Sequence, residues 1–261
     1  GLDTIYTVNI EWAVNGILQS PYSWSGILGE GDSLLINIGT YNFSATDYQI
    51  EAWSSFPNNT NDLISNNDTA SYSICTGLSG TYTIGSGSNT DFNTLQEATQ
   101  SLINCGIIGA VNFQIASGIY NEYLLLPSIV GASAINTITF DGLNRDSVEI
   151  IHDGSVQDVV IALEGADYFT FTNLTLKHTQ DTIETGVFRL EMEADYNNII
   201  NCSLVLNSSD YGFGIVGGER SASGFYNRGD NCNYLTVQNN HFEKGIVGIR
   251  LLGPSSVTGT N

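Results

Sequence analysis

Basic residues are scarce in this chain. Its 261 residues include 7 Lys plus Arg against 27 Asp plus Glu, so the formal net charge at pH 7 is −20. That charge repels both polyphosphate and anionic lipid, which makes nucleic acid and membrane surfaces poor partners. An acidic surface could also recruit cations, but the simpler explanation is solubility in a salty medium.

Long apolar runs are missing as well. No stretch approaches the roughly 18 apolar residues that a membrane-spanning helix requires, so we expect no direct membrane insertion. The chain has no signal peptide and no initiator Met, since it begins at Gly1, and it stops within the repeat-like stretch GIVGIRLLG followed by residues 254–261. We therefore expect a segment of a longer protein whose architecture is incomplete at the C-terminus.

No metal-binding cysteine pattern is present. The four cysteines form no CxxC pair and have no His at ligand spacing, which argues against a zinc site. Cys202 and Cys232 stand at small or apolar positions of the repeat described next, where buried free thiols are expected. Cys75 and Cys105 flank the start of the second domain and could pair, but the sequence leaves their connectivity open.

A short sequence motif that occurs twice, and a third time in a weaker form, is the most informative part of the chain. It reads ADYFTFTNLTL in residues 166–176, ADYNNIINCSL in residues 194–204 and CNYLTVQNNHF in residues 232–242. Alignment superposes one Tyr and one Asn from each copy: Tyr168, Tyr196 and Tyr234, and Asn173, Asn201 and Asn239. The intervals are 28 and 38 residues, which predicts a repeat architecture.

Each copy alternates apolar and polar residues and turns on its Asn, so we predict a solenoid of β-coils. The three Asn residues should occupy one corner and bond along the stack as a structural ladder. The same alignment places Asp167 over Asp195. Stacked carboxylates repel unless a cation or a hydrogen bond separates them. One hypothesis is therefore a Ca²⁺ site at Asp167 and Asp195, and the alternative is that each Asp bonds its own turn.

Residues 1–76 are predicted to form a small β-sandwich. Alternation predicts strands at residues 7–14, 33–38, 48–53 and 69–74, and Asn15-Gly16 predicts a tight hairpin. Trp12 falls on the apolar face of its strand. Trp53 falls on the face opposite Tyr48, and Trp24 lies in a predicted loop. Trp24 and Trp53 are therefore the candidate sugar-stacking residues.

The segments VNIEWAVNG, WSGILGEGDS and YQIEAWSSFPNNTNDLISNND resemble an immunoglobulin-like (Ig-like) module of the cell-adhesion-related bacterial type. Similar modules occur in large exported proteins of Bacteroidetes-type bacteria. The resemblance covers about 70 residues and implies an Ig-like sandwich, but it does not identify a ligand. An oxygen-rich loop in this region is either a Ca²⁺ clamp or an ordinary Asx-turn loop, with the candidate ligands Asp62, Asn66 and Asp68.

The second domain, residues 77–261, opens with a helix signal. Thr94 and Glu97 form a T-x-x-E capping box, apolar residues follow at helical spacing, and Cys105-Gly106 is the stop, which predicts a helix over about 95–105. We expect this helix to cap the open end of the solenoid. Further strands are predicted at residues 110–115, 119–126, 135–140, 148–151 and 187–193.

The segments GTYTIGSGSNTDFNTLQEATQSLINCG and SGIYNEYLLLPSIVGASAINTITFDG resemble the entry region of right-handed parallel β-helix proteins of the pectin-lyase-like superfamily. The resemblance is strongest to large surface proteins of the same bacteria. The expected fold class is therefore all-β, an N-terminal Ig-like β-sandwich followed by a right-handed parallel β-helix with an N-terminal capping α-helix. That helical fold hosts lyases, hydrolases, phage spikes and adhesins, so it does not specify an activity.

The second repeat interval exceeds the first by 10 residues, and the extra length falls within GGERSASGFYNRG, residues 217–229. Solenoids carry insertions on one flank, often the binding flank. The candidate binding residues there are Arg220, Phe225, Tyr226 and Arg228. A tolerated surface loop is the alternative.

No catalytic set emerges from the sequence. Glu191 and Glu193 lie two apart on a predicted strand and so share a face, as glycoside hydrolysis would require, but any amphipathic strand in an acidic protein does the same. A lyase needs a base near Ca²⁺-binding acids, and the candidates are few: Lys177, Arg189, Arg220, Arg228, Lys244 and Arg250. His152, His178 and His241 are scattered and lack a Ser or Cys partner motif. We assign no catalytic residue, and Ca²⁺ is the only candidate cofactor.

The leading hypothesis is a segment of a secreted or cell-surface protein that acts as an adhesin or structural stalk and binds glycans. Its expected partners are surface glycans or other cell-surface proteins. Its expected location is extracellular or on the outer cell surface, with type IX secretion as a candidate route. The alternative is a polysaccharide lyase or glycoside hydrolase of the β-helix type whose active site is completed outside this segment. A pure spacer is a third possibility.

Overall fold

The computed structural model describes residues 4–42, 47–61, 68–154, 158–180, 185–210, 212–220, 226–227 and 231–253. The chain divides into two compact units, Gly1–Thr76 and Gly77–Asn261. Within the described ranges, no helix combines the length and the hydropathy needed to cross a bilayer.

The first unit is built on an antiparallel sheet centred on strand β1. Its strands are β1 (Ile5–Val14), β2 (Ile17–Leu18), β3 (Tyr22–Leu28), β4 (Asp47–Ser55) and β5 (Thr69–Cys75), with a 3₁₀ turn at Pro57–Asn59. Strand β1 pairs with β2, β3 and β4, and β4 pairs with β5. Asn15 and Gly16 both have positive φ, 49° and 74°, which is the hairpin geometry that an Asn-Gly pair favours.

Two expectations for this unit are wrong. Residues 33–38 form no strand: they pair with none of the described strands, and most of them are exposed. Leu35 is fully exposed, while Ile38 packs against the core of Trp12, Val14 and Tyr48. Trp24 lies within β3, paired with Val8, rather than in a loop. The described residues of this unit form one sheet with a small core around Trp12, and the second sheet of the predicted sandwich is not confirmed.

The second unit is a parallel β-solenoid of about five turns. Each turn adds one strand to each of three parallel sheets. The first sheet contains β6 (Leu78–Ile84), β7 (Ile107–Ile115), β10 (Ile138–Asp141), β13 (Phe169–Thr172), β16 (Asn198–Ile200) and β21 (Thr236–Gln238). The second contains β8 (Gly118–Tyr120), β11 (Val148–His152), β14 (Thr175–His178), β17 (Ser203–Leu206) and β22 (His241–Glu243). The third contains β9 (Leu124–Pro127), β12 (Val159–Glu164), β15 (Gly186–Glu191), β18 (Phe213–Gly217) and β23 (Val247–Leu251).

The strand register reproduces the repeat intervals. Thr170 pairs with Asn198, and Asn198 pairs with Thr236, at separations of 28 and 38 residues. The extra length lies after β18, where β19 (Glu219–Arg220) and β20 (Tyr226–Asn227) form an antiparallel pair. The predicted strand at residues 119–126 is instead two strands, because the chain turns a corner between β8 and β9.

A column of aromatic side chains fills the solenoid core. Phe113, Phe140 and Phe171 occupy equivalent register positions on β7, β10 and β13. The ring centroid of Phe140 lies 4.9 Å from that of Phe113 and 5.6 Å from that of Phe171. All three are fully buried, so successive coils are joined by ring stacking as well as by backbone hydrogen bonds.

Helix α1 (Leu95–Cys105) has the local geometry that its capping box encodes. The Thr94 hydroxyl accepts a hydrogen bond from the Glu97 amide at 3.0 Å, and the Glu97 carboxylate accepts one from the Asn93 amide at 2.7 Å. Leu95 and Leu102 are fully buried within the solenoid core. The apolar stripe of α1 therefore contributes directly to that core.

The cysteines fall into two groups. Cys75 and Cys105 are disulfide-bonded. Cys202 is a free, fully buried thiol, and burial raises its pKa to about 11. Cys232 is half-buried and packs against the solenoid core, so it is less buried than its position in the repeat predicted.

The Asn ladder lies at the corner between the first and second sheets. Asn201 Nδ2 donates to Asn173 Oδ1 at 2.7 Å, and Asn173 Nδ2 donates to Asp141 Oδ1 at 2.7 Å. Asn173, Asn201 and Asn239 all have positive φ, between 52° and 57°, a conformation that Asn tolerates better than most residues. In the last coil the neighbouring Asn240 bonds to the preceding coil, accepting from the Cys202 amide at 2.7 Å.

Substitution of Asn173 separates the two contributions of this corner residue. Asn173→Gly keeps the left-handed conformation and loses the side-chain hydrogen bonds, so we expect the free energy of unfolding to fall by about 1–2 kcal/mol. Asn173→Ala also forces Ala to positive φ and should cost about 1 kcal/mol more. Urea unfolding measures both. Asn198→Ala is the control, since it loses one side-chain hydrogen bond, from Asn198 Nδ2 to Thr170 Oγ1. Equal losses for Gly and Ala at position 173 would refute the conformational role.

Candidate functional site

The first unit contains a groove of about 450 Å³ that brings together two aromatic rings and several polar groups. We call it the Trp53 groove. It is lined by Trp53, Ser54, Ser55, Phe56, Asn61, Asp68 and Thr69. It therefore joins Trp53 and Asp68, two residues that the sequence singled out for different reasons.

The strand pairing explains why Trp53 is available to a ligand. Trp53 pairs with Glu11 on β1 and with Thr69 on β5, so these three side chains share one face of the sheet. The opposite face carries the small core around Trp12. Ser55 Oγ donates to Glu11 Oε1 at 2.9 Å on the polar face. Trp53 is thus a half-buried indole surrounded by hydroxyl and carboxylate groups rather than a core residue.

The second ring of the groove is held by an unusual loop. Phe56 has φ 50° and ψ 51°, a left-handed conformation that costs a bulky residue of order 1–3 kcal/mol, and half of its surface is exposed. Asn58, two residues later, anchors the loop to the edge of β1. Its Oδ1 accepts from the Tyr6 amide at 2.7 Å, and its Nδ2 donates to the Thr4 carbonyl at 2.9 Å. These bonds hold Phe56 beside Trp53.

Other predicted binding residues are placed elsewhere or are not described. Trp24 pairs with Val8, which lies on the other face of β1 from Glu11, so the two candidate tryptophans are not brought together. A Cβ at Gly26 would lie 2.6 Å from the Trp24 ring, so that ring packs over the backbone of its own strand. Asp62 and Asn66 lie outside the described residues, and the Ca²⁺ clamp proposed for that loop stays a prediction.

On the insertion flank, Arg220 and Tyr226 are paired through their backbones in β19 and β20. Phe225 and Arg228 lie outside the described residues. The binding role of these four residues therefore stays a prediction.

The stacked carboxylates are linked by hydrogen bonds. Asp167 Oδ1 accepts from the Asp195 amide at 2.7 Å, and Asp195 Oδ1 accepts from the Asn233 amide at 2.6 Å. Each carboxylate bonds the next coil rather than its own turn, which corrects the expected alternative. Burial raises the pKa of Asp167, the Asp195 charge adds to the rise, and the amide hydrogen bond opposes it. Among the described residues, no group of three or more His, Cys, Asp or Glu could hold a metal ion.

A tyrosine ladder runs beside these carboxylates. The ring centroids of Tyr168 and Tyr196 are 5.0 Å apart, and those of Tyr196 and Tyr234 are 4.5 Å apart, with interplanar angles of 5° and 6°. This stacking is the register that the sequence alignment predicted. Each ring packs against its neighbour in the stack, so we assign the ladder to the scaffold of the solenoid.

Sequence reasoning missed a buried ion network on the third sheet. Arg189 lies between Phe188 and Leu190 on β15, and its side chain is 4% exposed. Its three guanidinium nitrogens each contact a different carboxylate, Asp158 at 2.8 Å, Glu164 at 3.0 Å and Glu191 at 2.9 Å. The sequence signal was an Arg within an otherwise apolar strand segment, GVFRL.

The network also corrects the suggested carboxylate pair. Strand β15 ends at Glu191, and Met192 and Glu193 turn away with φ of 59° and 61°. Glu193 is exposed, whereas Glu191 is buried and bonded to Arg189. The two carboxylates therefore do not share a strand face, and the buried one is already engaged.

Two of the histidines are neighbours in successive coils rather than scattered, and their rings meet edge to face. His152 and His178 pair in register at the ends of β11 and β14, with ring centroids 5.7 Å apart. His178 is fully buried, and its Nδ1 accepts from the Gln180 amide at 3.3 Å. Burial, with a further contribution from His152, lowers the pKa of His178 to about 4, and the Gln180 hydrogen bond, Asp158 and Asp153 oppose the fall.

This lowered pKa predicts acid sensitivity. Because His178 titrates near 4 when folded and near 6.5 when unfolded, the unfolded state binds the proton first, and stability is lost as the pH falls from about 6.5 to 4. The loss should reach up to about 3 kcal/mol. His178→Leu, which copies Leu206 at the same position of the next coil, should remove that part of the pH dependence. Urea unfolding between pH 7 and pH 4 measures it.

His241→Leu is the control, since His241 is exposed on β22. It removes an imidazole without touching the buried pair. An unchanged pH slope in His178→Leu would show that other groups govern the acid response.

A larger groove, of about 550 Å³, lies beside the N-terminus of α1 in the second unit. Its one lining carboxylate, Glu122, already accepts from the amides of Leu95 and Gln96, at 3.3 and 2.9 Å. Its one lining ring is Tyr120, whose hydroxyl donates to the Ala116 carbonyl at 2.7 Å. The carboxylate and the ring of this groove are therefore engaged within the fold, and we favour the Trp53 groove, which brings two aromatic rings together, as the functional site.

Comparisons with known proteins assign no family to this chain. No family model and no curated protein sequence matches it. Among solved structures it is similar to pectin methylesterase PemA from Erwinia chrysanthemi, at 17% identity and TM-score 0.39, covering 54% of this chain and 51% of that one. It is also similar to pectin methylesterase from Aspergillus niger in two deglycosylated forms, at 16% and 14% identity. The first of these has a TM-score of 0.35 and covers 66% of this chain and 69% of that one. The second has a TM-score of 0.34 and covers 72% of this chain and 90% of that one.

The chain thus spans about half the length of the Erwinia enzyme. At these identities and TM-scores no activity is carried over. The assignment of the second unit to the parallel β-solenoids rests on its own strand topology.

Proposed function

We propose that this chain is a glycan-binding segment of an exported surface protein and that the Trp53 groove is its binding site. The observation that carries the proposal is the composition of that groove. Sugar rings present C–H faces that pack on aromatic rings, and hydroxyl groups that exchange hydrogen bonds with short polar side chains. Trp53 and Phe56 supply the first kind of contact, and Asn61 and Asp68 are placed for the second.

Trp53 lies outside the buried core of the first unit. The core of the first unit is already filled by Trp12, Val14 and Tyr48 on the other face of the sheet. A large aromatic side chain on a polar face, beside a strained aromatic neighbour, is typical of a ligand-binding surface. The adhesion-related Ig-like module that the sequence resembles is consistent with this role.

The disulfide-bonded state of Cys75 and Cys105 supports an extracellular location, since disulfides persist in oxidising compartments. The solenoid is the stalk in this proposal, because coils that rise about 4.8 Å each make a stiff scaffold. Helix α1 is its N-terminal cap, which the burial of Leu95 and Leu102 in the solenoid core supports.

The test is a glycan array probed with the 261-residue chain, followed by calorimetric titration of the bound sugars. Trp53→Ala should weaken binding at least about tenfold, equivalent to about 1.4 kcal/mol. Tyr234→Ala, which removes a 71% exposed ring elsewhere, should leave binding unchanged. Absence of binding to every glycan, or equal binding by Trp53→Ala, would overturn the proposal. Release of reducing or unsaturated sugar would instead favour the polysaccharide lyase or hydrolase alternative.

A further inference from the structure

We propose that the Trp53 groove selects amino sugars, that is, hexosamine units carrying a free ammonium group, and rejects uronates. This inference rests on the proposed glycan-binding function and adds the charge class of the ligand to it. It follows from the distribution of charged residues between the two units and from their placement around the Trp53 ring.

The first unit has no cationic side chain. Residues 1–76 contain no Lys, Arg or His, and all 7 Lys plus Arg of the chain lie in residues 77–261. The same 76 residues carry eight carboxylates, namely Asp3, Glu11, Glu30, Asp32, Asp47, Glu51, Asp62 and Asp68. An anionic sugar bound in this unit would therefore find no side chain of opposite charge within it.

One of those carboxylates lines the groove, and a second is paired with Trp53 across neighbouring strands. Asp68 lines the groove itself. Glu11 is the cross-strand neighbour of Trp53, and side chains so paired lie about 5 Å apart at Cβ. The Ser55 hydroxyl, whose residue also lines the groove, bonds Glu11 Oε1 at 2.9 Å and so holds that carboxylate on the face of the sheet that carries Trp53.

This arrangement suits an ammonium group on a pyranose ring. The indole face attracts a cation through its quadrupole while it packs against the C–H face of the sugar. A carboxylate near the ring can accept a charge-assisted hydrogen bond from the ammonium group. N-acetylation removes the charge and keeps the stacking, so an N-acetylhexosamine should bind more weakly. A uronate places a third carboxylate beside two others, which repel it.

The experiment compares three tetrasaccharides by calorimetry at about pH 6, where an amine is charged. They are β-1,4-linked glucosamine, its N-acetylated form, and galacturonate. We expect the glucosamine tetramer to bind at least about tenfold more tightly than the N-acetylated form, with no detectable binding of galacturonate. The preference should shrink as salt rises from about 50 to about 500 mM.

Charge-neutral variants of the groove separate its selectivity from its stacking. Glu11→Gln and Asp68→Asn should each lower the ratio of the affinity for the glucosamine tetramer to the affinity for the N-acetylated tetramer. Glu30→Gln makes the same change in net charge at an exposed position outside the groove and should preserve the preference. Trp53→Ala should weaken both sugars together.

The outcomes distinguish this inference from the function beneath it. Equal affinity for the two glucosamine tetramers overturns the amino-sugar selectivity and leaves glycan binding standing. An effect of Glu30→Gln as large as that of Glu11→Gln overturns it too, because attraction would then come from net charge. Binding of galacturonate contradicts the charge argument directly. If the chain binds no saccharide, both the inference and the proposed function fail.

Discussion

Replacing Arg189 with Met is expected to lower the free energy of unfolding by about 3–5 kcal/mol. The guanidinium is almost fully buried and contacts three carboxylates at 2.8 to 3.0 Å. Met fills much of the same volume but removes the positive charge. Three acidic groups then remain close together in a site of low polarity, where both desolvation and mutual repulsion oppose their ionisation.

A matched control measures the effect of burial. Arg145 contacts Asp146 at 3.6 Å on the surface, where the side chain of Asp146 is 82% exposed. Arg145→Met should therefore change the free energy of unfolding by less than about 1 kcal/mol. A loss of under 1 kcal/mol in Arg189→Met would mean that the network contributes no more than a surface pair.

Acid should partly rescue the Arg189→Met variant. Without the guanidinium, the carboxylates of the folded state bind protons more readily than those of the unfolded chain. Its penalty relative to the wild type should then shrink as the pH falls toward 4, since proton binding stabilises the state that binds more protons. Urea unfolding at pH 7 and pH 4.5 tests this sign, and a penalty that grows in acid would contradict it.

Replacing Phe140 with Ala is expected to cost about 3–5 kcal/mol. Phe140 has no exposed surface and stacks on Phe113 below and Phe171 above. Truncation removes the middle ring of the column, so both neighbours lose contacts and a cavity opens between coils. Because each coil touches only its neighbours, the structure has few ways to close that cavity.

Phe140→Leu is the graded comparison and should cost less than the Ala variant, because most of the volume is retained. Tyr234→Ala removes a largely exposed ring that, among the described residues, stacks on Tyr196 alone, and it should cost only about 1 kcal/mol. Urea unfolding with comparison of midpoints and slopes gives all three values. A loss for Phe140→Ala no larger than that for Tyr234→Ala would show that the column does not hold the coils together.

The repeat made much of the solenoid predictable. Asn173 and Asn201 recur at the same position of the repeated motif. A left-handed corner favours Asn for local reasons, so the sequence predicts both the position and the conformation of each corner. The capping box of α1 is equally local, since Thr94 and Glu97 contact each other across a single turn. Interactions of this kind depend on residues whose separation can be read from the chain.

The ion network and the Trp53 groove depend on contacts between residues whose pairing cannot be read from the sequence. Arg189 contacts Asp158 because β12 and β15 pair in one particular register. The coil that contains β12 lacks the ADY motif, so the sequence alignment could not reveal that register. His152 and His178 meet for the same reason. Trp53 reaches Asp68 because β4 and β5 pair in antiparallel register. The absent strand at residues 33–38 shows the converse: its alternation predicted a strand, but this segment pairs with none of the described strands.

The constant spacing of partners in the solenoid has a consequence for how the chain is made. Each strand finds the strand it pairs with about 30 residues later, as with Thr170 and Asn198. A chain that emerges N-terminus first from a ribosome or a pore therefore completes one coil each time about 30 further residues have emerged. Each finished coil buries its own rings against the one before it. Folding of the solenoid can thus keep pace with delivery and oppose backward sliding of the chain.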